Sequence, residues 1–507
     1  MSSVAMARLN VVFLVVLVIS LKSVPVKATL SGVATGSEVP LALPADKIMR
    51  ISASTVEFEH HGILPISADV EAFQHWEEEM WPVPLAAVLV GFDEVVPTIF
   101  QGEVVRFDVY DPLYIRTIRV AISTEQFQSI QHQELIFSPT SRLFVEEKGT
   151  GRGFQVNALE EISIFVEDGR FQVKDGQGIL WEFDQRLYVW ADQGGLIQIN
   201  SFKRGTGTQF FPRYRGRFEL VAEGDSFLVI NEVSLEDYLI QVVPSEMPIS
   251  WPLEALKAQA VAARTYAVAQ AIYSRQGHLG FHVADSTNSQ VYNNQPEAQS
   301  TTRAIQETAG QILVNPDETI SSTYFFSTSP RAILTDLAKW NDRRELALEG
   351  NSPWFRWKCT FTRDELTSLL KPLLPATFGE IIGLKVETRD ERGRVTCLAV
   401  LGSGGKETIV GELNIRQALK PSSLQRTGDS LGRQSLLPSS LFFLDQELDA
   451  NGRLKSVTVY GGGSGHNLGM SQWGAKGMAE AGYDYATILS TYYPEAHLIT
   501  HSEQLRY

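Results

Sequence analysis

Val242-Val-Pro-Ser-Glu-Met-Pro248 lies between an apolar segment and a long alanine-rich segment, and the rest of the chain is organised around it. The apolar segment, Phe227–Asn231, is typical of a β-strand. Leu253–Ile272 contains eight alanines and neither Gly nor Pro, which predicts a long helix that packs closely against its neighbours. Glu246 is therefore predicted in a turn between two prolines, inside an apolar collar, directly before this helix. Such a lone carboxylate is well placed for acid–base chemistry.

The composition limits the kind of protein. The chain has 507 residues, of which 44% are hydrophobic, so it can bury sizeable cores in about two to four domains. A net charge of −15 argues against nucleic acid as a partner, because phosphates attract basic surfaces. The two cysteines, Cys359 and Cys397, do not make a disulfide scaffold. They either pair across neighbouring strands or are two separate buried residues.

The first residues carry a localisation signal. Arg8 is followed by the apolar run Leu9–Leu21, which has the length of a signal-peptide core and is short for a bilayer span. A small residue, Ala28, ends the predicted signal peptide, residues 1–28. An uncleaved anchor is the alternative. Both predict export to the periplasm or cell wall, with the membrane contacted only through an uncleaved N-terminal segment.

The remaining chain divides into three regions. Residues 31–110 match no pattern that assigns a function, although Glu71–Trp81 has the composition of a helix. Residues 111–225 are β-rich, with alternating apolar positions separated by turn signals such as Asp168-Gly169. Residues 226–500 mix helices and strands. We therefore predict an α+β fold, in which a β-rich N-terminal region precedes a mixed α/β domain with a central helix.

Four blocks of the sequence resemble the SpoIID/LytB domain of sporulation protein SpoIID and of amidase enhancers. The blocks occur in the family's order over roughly residues 110–500, and they are Glu232–Leu239, Pro244–Pro248, Leu253–Ala267 and Gly465–Ala479. The resemblance implies a SpoIID-like domain over residues 226–500. It also implies the activity of SpoIID, a lytic transglycosylase acting on peptidoglycan glycan strands.

This reaction suits a single carboxylate. Most glycosidases need two, but in a lytic transglycosylase the muramic acid C6 hydroxyl attacks its own anomeric carbon, so no water is activated. Glu246 is the candidate acid/base, since its apolar neighbours would raise its pKa. The alternative is structural: a negative group before a helix also stabilises the helix N-terminus.

Further residues are candidates for binding the glycan. Four lie on the central helix and four in the later blocks, and together they are Arg264, Lys257, Gln259, Tyr266, Ser327, His466, Ser471 and Gln472. They supply donors and acceptors for sugar hydroxyl and N-acetyl groups. Structural alternatives are an ion-paired helix face for Lys257 and Arg264, and a helix-capping role for Ser471.

The sequence departs from the family at positions that affect ligand binding. Asn288 and Ser289 stand where some members have Cys or His as metal ligands, so we expect neither a metal nor another cofactor. Phe326 replaces a family His, and Pro330-Arg331 replaces two glycines, which predicts a changed loop backbone. These departures favour a second function: a non-catalytic protein that binds the cell wall and enhances an N-acetylmuramoyl-L-alanine amidase.

Overall fold

The computed structural model describes residues 39–111, 114–205, 207–273 and 276–500. It has an α+β fold, with a β-rich N-terminal region followed by a mixed region, as the sequence predicts. The predicted signal peptide, residues 1–28, lies outside the described residues. Within the described ranges, no helix is both long and apolar enough to cross a bilayer.

The first region is a seven-stranded sheet with its own apolar core. Its strands are Leu41–Ala42, Ile48–Ile51, Thr55–Phe58, Gly62–Trp76, Glu79–Val83, Val95–Phe100 and Glu103–Val109. The helix expected over Glu71–Trp81 is wrong, because these residues form the hairpin between the fourth and fifth strands. Glu77 turns the chain there with a positive φ of 52°. Pairing with a neighbouring strand outweighs the local helical propensity.

Two sheets follow and share one core with the central helices; their strands pair antiparallel except Val283–Ala284, which runs parallel to Thr117–Ala121. The six-stranded sheet contains Glu134–Pro139, Ile162–Glu167, Arg170–Lys174, Leu180–Phe183, Ile197–Ile199 and Arg213–Tyr214. The eight-stranded sheet contains Thr117–Ala121, Gln131–His132, Leu143–Glu147, Gly153–Val156, Leu187–Ala191, Arg217–Glu223, Ser226–Ser234 and Val283–Ala284. Asp168 and Gly169 form the predicted hairpin turn, both with positive φ.

Eight α-helices lie in the described part of the chain. They are α1 Leu235–Glu246, α2 Leu253–Tyr273, α3 Gln299–Glu307, α4 Leu337–Asn341, α5 Arg363–Leu370, α6 Glu412–Ala418, α7 Gln472–Glu480 and α8 Tyr485–Tyr492. The predicted central helix is α2, and its small alanine side chains let α1, α3, α7 and α8 pack against it. It is largely buried, as its composition predicts.

The last region adds a five-stranded and a three-stranded sheet around a second core. The five strands are Trp357–Thr362, Leu424–Arg426, Asp429–Leu431, Phe442–Leu448 and Leu454–Gly461; the three are Ile381–Arg389, Val395–Gly402 and Gly405–Val410. Two short pairs, Gln311–Val314 with His497–Thr500 and Phe325–Phe326 with Met470–Ser471, tie this region to α2. Cys359 and Cys397 lie in different sheets and are free thiols, so the disulfide alternative is wrong.

Buried ion pairs join the N-terminal sheet to the eight-stranded sheet. Glu57 pairs with Arg186 at 2.5 Å and with Lys148 at 3.2 Å. Lys47 pairs with Glu232 at 2.8 Å, and Arg119 bridges Glu232 and Glu219. Because an unpaired buried charge is costly, these pairs fix how the two regions pack together.

Candidate functional site

Glu246 is the last residue of α1. The turn predicted between the two prolines is wrong, because the helix continues through Pro244. A proline removes one helical hydrogen bond, here the one to the Ile240 carbonyl. In the same turn the Ser245 hydroxyl donates to the Gln241 carbonyl at 2.7 Å. The partly buried Glu246 carboxylate accepts a hydrogen bond from the backbone N–H of Val291 at 2.6 Å. Glu246 is thus held against the segment that follows the eight-stranded sheet.

Gln290 explains why that backbone N–H lies beside Glu246. Its buried amide accepts from the Tyr238 hydroxyl on α1 at 3.1 Å and donates to the Ala263 carbonyl on α2 at 3.3 Å. Two residues further on, the Tyr292 hydroxyl donates to the side chain of Asn231, in the strand Ser226–Ser234, at 2.7 Å. The segment is therefore pinned on both sides of Val291 by side chains from three elements.

Burial controls the protonation of Glu246. Loss of solvent raises the pKa of its carboxyl from 4.5 to about 7, although the Val291 hydrogen bond opposes this. Its position at the C-terminal, negative end of α1 also disfavours the charged form. Six residues separate it from the start of α2, so the structure does not support the alternative role at that helix N-terminus. A substantial fraction of Glu246 is protonated at neutral pH.

Two glutamines link Glu246 to the late blocks of the sequence. Gln472, the first residue of α7, donates to the backbone carbonyl of Glu246 at 3.0 Å and to the amide oxygen of Gln259 at 3.4 Å. Gln259 is fully buried, and its own amide nitrogen has no hydrogen-bond partner. Leaving such a donor unpaired costs about 1–3 kcal/mol, so this is a strained polar contact of the kind that marks functional sites.

A row of rings extends from Glu246 towards His466. Burial raises the pKa of the Tyr266 hydroxyl to about 12, with smaller electrostatic contributions from Tyr324 and Glu246. Tyr266 therefore stays protonated and can donate. Its ring meets that of Tyr324 edge-on at 6.0 Å, and Tyr324 meets His466 at 6.1 Å. The Phe326 ring lies 5.8 Å from that of His466.

His466 is a neutral imidazole. Burial, together with the charges of Arg394 and Arg416, lowers its pKa to about 4. Its Nδ1 atom accepts from the backbone N–H of Leu468 at 3.2 Å, so the proton resides on Nε2. The ring N–H is directed at the backbone carbonyl of Phe325, so both ring nitrogens are engaged. A neutral histidine of this kind does not compete with Glu246 as an acid near neutral pH.

Arg264 and Lys257 are engaged in ion pairs. The fully buried Arg264 guanidinium forms a two-pronged pair with Glu236 at 2.7 and 2.8 Å and donates to backbone carbonyls. Lys257 pairs with Glu254 at 2.9 Å and with Glu307 at 2.6 Å. These contacts match the ion-paired alternative given by the sequence.

Ser471 and Ser327 lie beside the Glu246 site. Ser471 caps α7, accepting from the Gly474 N–H at 3.2 Å, and donates to the buried Glu349 carboxylate at 2.6 Å. Ser327 contacts the Thr328 hydroxyl at 3.3 Å, and its carbonyl accepts from the Trp473 N–H at 3.0 Å. The capping alternative therefore describes the observed contacts of Ser471.

The loop with Pro330-Arg331 places a non-glycine residue in a conformation that glycine favours. Arg331 has φ of 56°, in the left-handed region. Its side chain stabilises this conformation because it pairs with Glu349 at 2.7 Å and donates to the Tyr492 hydroxyl at 3.1 Å. Pro330 packs against Gly462 and Gly463, where added Cβ atoms would lie within about 3 Å of its ring.

One cluster in the described ranges has the composition of a metal site. Ligand atoms of Asp46, Glu59 and His60 lie within 4.8 Å of one another. The Asp46 carboxylate already accepts four N–H bonds, one from the His60 ring, and Glu59 accepts from Tyr188 at 2.5 Å. The lone pairs are used by these bonds, so the cluster serves as a turn anchor and does not fit a metal.

The structure adds two residues to the site that the sequence did not indicate. One is Val291, which acts through its backbone N–H and is therefore invisible to a side-chain motif. The other is Tyr324, whose ring, 44% exposed, links Tyr266 to His466. The aromatic run before Ser327 was the available signal. Of the nine predicted residues, the structure brings together Glu246, Gln259, Gln472, Tyr266 and His466.

Comparison with known proteins shows the class of this fold and site. The profile of the family described as stage II sporulation protein matches residues 223–315, and that of a domain of unknown function matches residues 311–469. The stage II sporulation protein D of Bacillus subtilis is 30% identical over 281 residues, covering 52% of this chain and 74% of that protein. The chain therefore belongs to the SpoIID/LytB family.

Two further relatives show how far properties of known proteins can be transferred to this chain. An uncharacterized protein of Brachyspira hyodysenteriae is 32% identical over 289 residues, or 55% of this chain and 70% of that protein. The amidase enhancer of Bacillus subtilis is 28% identical over 283 residues, or half of this chain, but the match spans only 39% of that protein. These relationships support a role connected with the cell wall.

Proposed function

We propose that this protein is an exported lytic transglycosylase that cleaves peptidoglycan glycan strands, with Glu246 as its only acid/base. The observation that carries the proposal is the Glu246 carboxyl, whose pKa burial raises to about 7. Burial causes this shift against the opposing effect of the Val291 hydrogen bond, with no second carboxylate among the causes. This fits a reaction that needs no activated water.

The proposed reaction balances with one proton carrier. Protonated Glu246 gives its proton to the glycosidic oxygen as the bond from that oxygen to the anomeric carbon breaks. The C6 hydroxyl oxygen of the same muramic acid then bonds to the anomeric carbon, and its proton passes to Glu246. The products are a new chain end with a free hydroxyl and a 1,6-anhydro end. Glu246 is left protonated, as it began.

The neighbouring groups suit the binding of a sugar strand. The Tyr266 hydroxyl, which stays protonated, is a donor near Glu246. The partly exposed ring of Tyr324, which lies between those of Tyr266 and His466, is a surface on which a sugar can stack. Gln472 holds the Glu246 backbone. We assign these groups to positioning and binding.

The test is a digest of purified glycan strands, with and without stem peptides, by wild type, Glu246→Gln and Asp237→Asn. Asp237 lies on the same helix, 40% exposed, and is the matched control. The masses of the products are measured to detect the loss of water that marks a 1,6-anhydro end. We expect such ends from wild type and Asp237→Asn and none from Glu246→Gln. Equal cleavage by all three would refute the role of Glu246.

A second function has support in one feature of the loop beside the site. Phe326 and Arg331 replace residues typical of the family, and the ion pair between Arg331 and Glu349 holds the loop in place. A relative named amidase enhancer points the same way. In this function the protein binds the cell wall and stimulates an N-acetylmuramoyl-L-alanine amidase. Intact glycan strands together with stimulated stem-peptide release by such an amidase would establish it in place of cleavage.

A further inference from the structure

A second pocket lies on the other side of α1 from Glu246. It encloses about 470 Å³, within the range of small-ligand sites, and Phe210, Phe211, Arg213, Gln241 and Glu297 contribute to its wall. Gln241 and Glu246 are five positions apart in the helix, which turns their side chains about 140° apart around the helix axis. The pocket is therefore distinct from the Glu246 site, although the same helix supports both.

The floor of the pocket contains an unsatisfied acceptor. The Gln241 side chain is 1% exposed, and its amide nitrogen donates to the Arg213 carbonyl at 2.6 Å and towards Glu297 at 3.4 Å. These two acceptors fix the amide orientation, which leaves the Gln241 amide oxygen buried without a partner. A ligand N–H or O–H reaching that oxygen would recover the cost of its burial.

The acidic charge at the pocket is matched. Glu297 forms a two-pronged pair with Arg215 at 2.7 and 2.9 Å, which lowers the pKa of Glu297 and neutralises its charge. The Arg213 guanidinium donates through Nε to Gln198 at 2.9 Å and is otherwise an exposed source of N–H donors. These donors suit a ligand that carries hydroxyls and amide oxygens.

The aromatic wall favours a ring with an apolar face. Phe211 is 40% exposed, and the Lys203 ammonium lies over its ring at 5.1 Å, which covers one face and helps to hold the ring in place. Phe210 and Phe211 both line the pocket, so the exposed part of the Phe211 ring offers a stacking surface there. Stacked ring and amide contacts together are the chemistry of an N-acetylated pyranose.

We propose that this pocket binds an N-acetylhexosamine unit, with the ring on Phe211 and a ligand N–H or O–H donated to Gln241. The choice of an N-acetylated sugar among ligands with hydroxyls and amides rests on the proposed function. The pocket would then hold a part of the glycan that is not being cleaved, and so keep the protein on its polymer.

Binding is measured on the full chain carrying Glu246→Gln, so that no ligand is consumed. The probes are triacetylchitotriose and, without acetamido groups, cellotriose, and the readout is titration calorimetry with saturation transfer to the acetamido methyl protons. Phe211→Ala removes the stacking face, Phe211→Trp retains one, and Tyr483→Ala is the control at another exposed aromatic residue. Because Phe211 is a surface residue, these changes leave the cores intact.

We expect Phe211→Ala to weaken triacetylchitotriose binding about tenfold or to remove one of two binding sites. Phe211→Trp and Tyr483→Ala should bind within about threefold of the parent, and cellotriose should bind more weakly. Unchanged binding by Phe211→Ala, or equal binding of both probes, would overturn the proposal. The measurement needs no cleavage, so a failed glycan digest with intact Phe211-dependent binding would refute the lytic function alone.

Discussion

Replacing Glu246 by Gln should stabilise the protein, and the gain should depend on pH. The carboxyl pKa is 4.5 in the unfolded chain and about 7 in the fold, so the folded state keeps a proton that the unfolded state releases. Between these values the stability of wild type falls as pH rises, and above about 7 the whole penalty is present. The difference in pKa corresponds to about 3 kcal/mol.

Glutamine is the suitable replacement because it keeps the shape of Glu246 and the acceptor for the Val291 N–H, at present 2.6 Å away, but carries no charge. The free energy of unfolding would be measured by urea denaturation of both proteins between about pH 4 and pH 9. Fluorescence of Trp251 and Trp473, whose rings lie 4.9 Å apart, reports on the core around α2.

We expect the two proteins to be equally stable near pH 4 and the Glu246→Gln protein to be more stable by about 3 kcal/mol above pH 7. Asp237→Asn, on the same helix, should show no such rise between pH 5 and 7. A stability difference that stays constant from pH 4 to 9 would show that Glu246 has an ordinary pKa. The assignment of Glu246 as a protonated acid would then fail, whatever the activity of the protein.

Three further predictions follow from the site and its surroundings. Glycan cleavage should fall about tenfold per pH unit above pH 7 as Glu246 loses its proton, and a rate that is flat to pH 9 would contradict it. Arg331→Ala should destabilise the protein by about 3 kcal/mol because it leaves the buried Glu349 unpaired. In a double-mutant cycle, adding Glu349→Gln should recover part of this loss of stability. Additive losses from the two substitutions would argue against the pairing. Gly474→Ala should cost more than about 2 kcal/mol in urea unfolding because its Cβ would lie 1.9 Å from the Tyr492 hydroxyl, whereas Gly432→Ala, in open space, should be within about 0.5 kcal/mol of wild type.

The sequence alone determined the fold class and the regular elements nearest to the site. The alanine-rich run predicted α2 almost to the residue, and alternating apolar positions predicted strands such as Arg170–Lys174. These patterns are local, since a helix or a strand repeats over a few residues and its buried face is written in that period. The motif blocks also identified the family, which the comparisons confirmed.

Tertiary structure decided which candidates share a site. Gln259 and Gln472 are 213 positions apart in the chain and meet only because α7 packs on α2. The sequence made Arg264 and Lys257 equally good candidates for binding the glycan, but in the structure they form ion pairs with Glu236 and Glu307. The contact with the Val291 N–H has no sequence signal, because it arises from packing. The apolar neighbours of Glu246 predicted the direction of its pKa shift, but the loss of solvent that causes the shift is set by the tertiary structure. The sequence gives the type of each candidate residue directly, whereas its burial and its hydrogen-bond or ion-pair partners depend on contacts between distant parts of the chain.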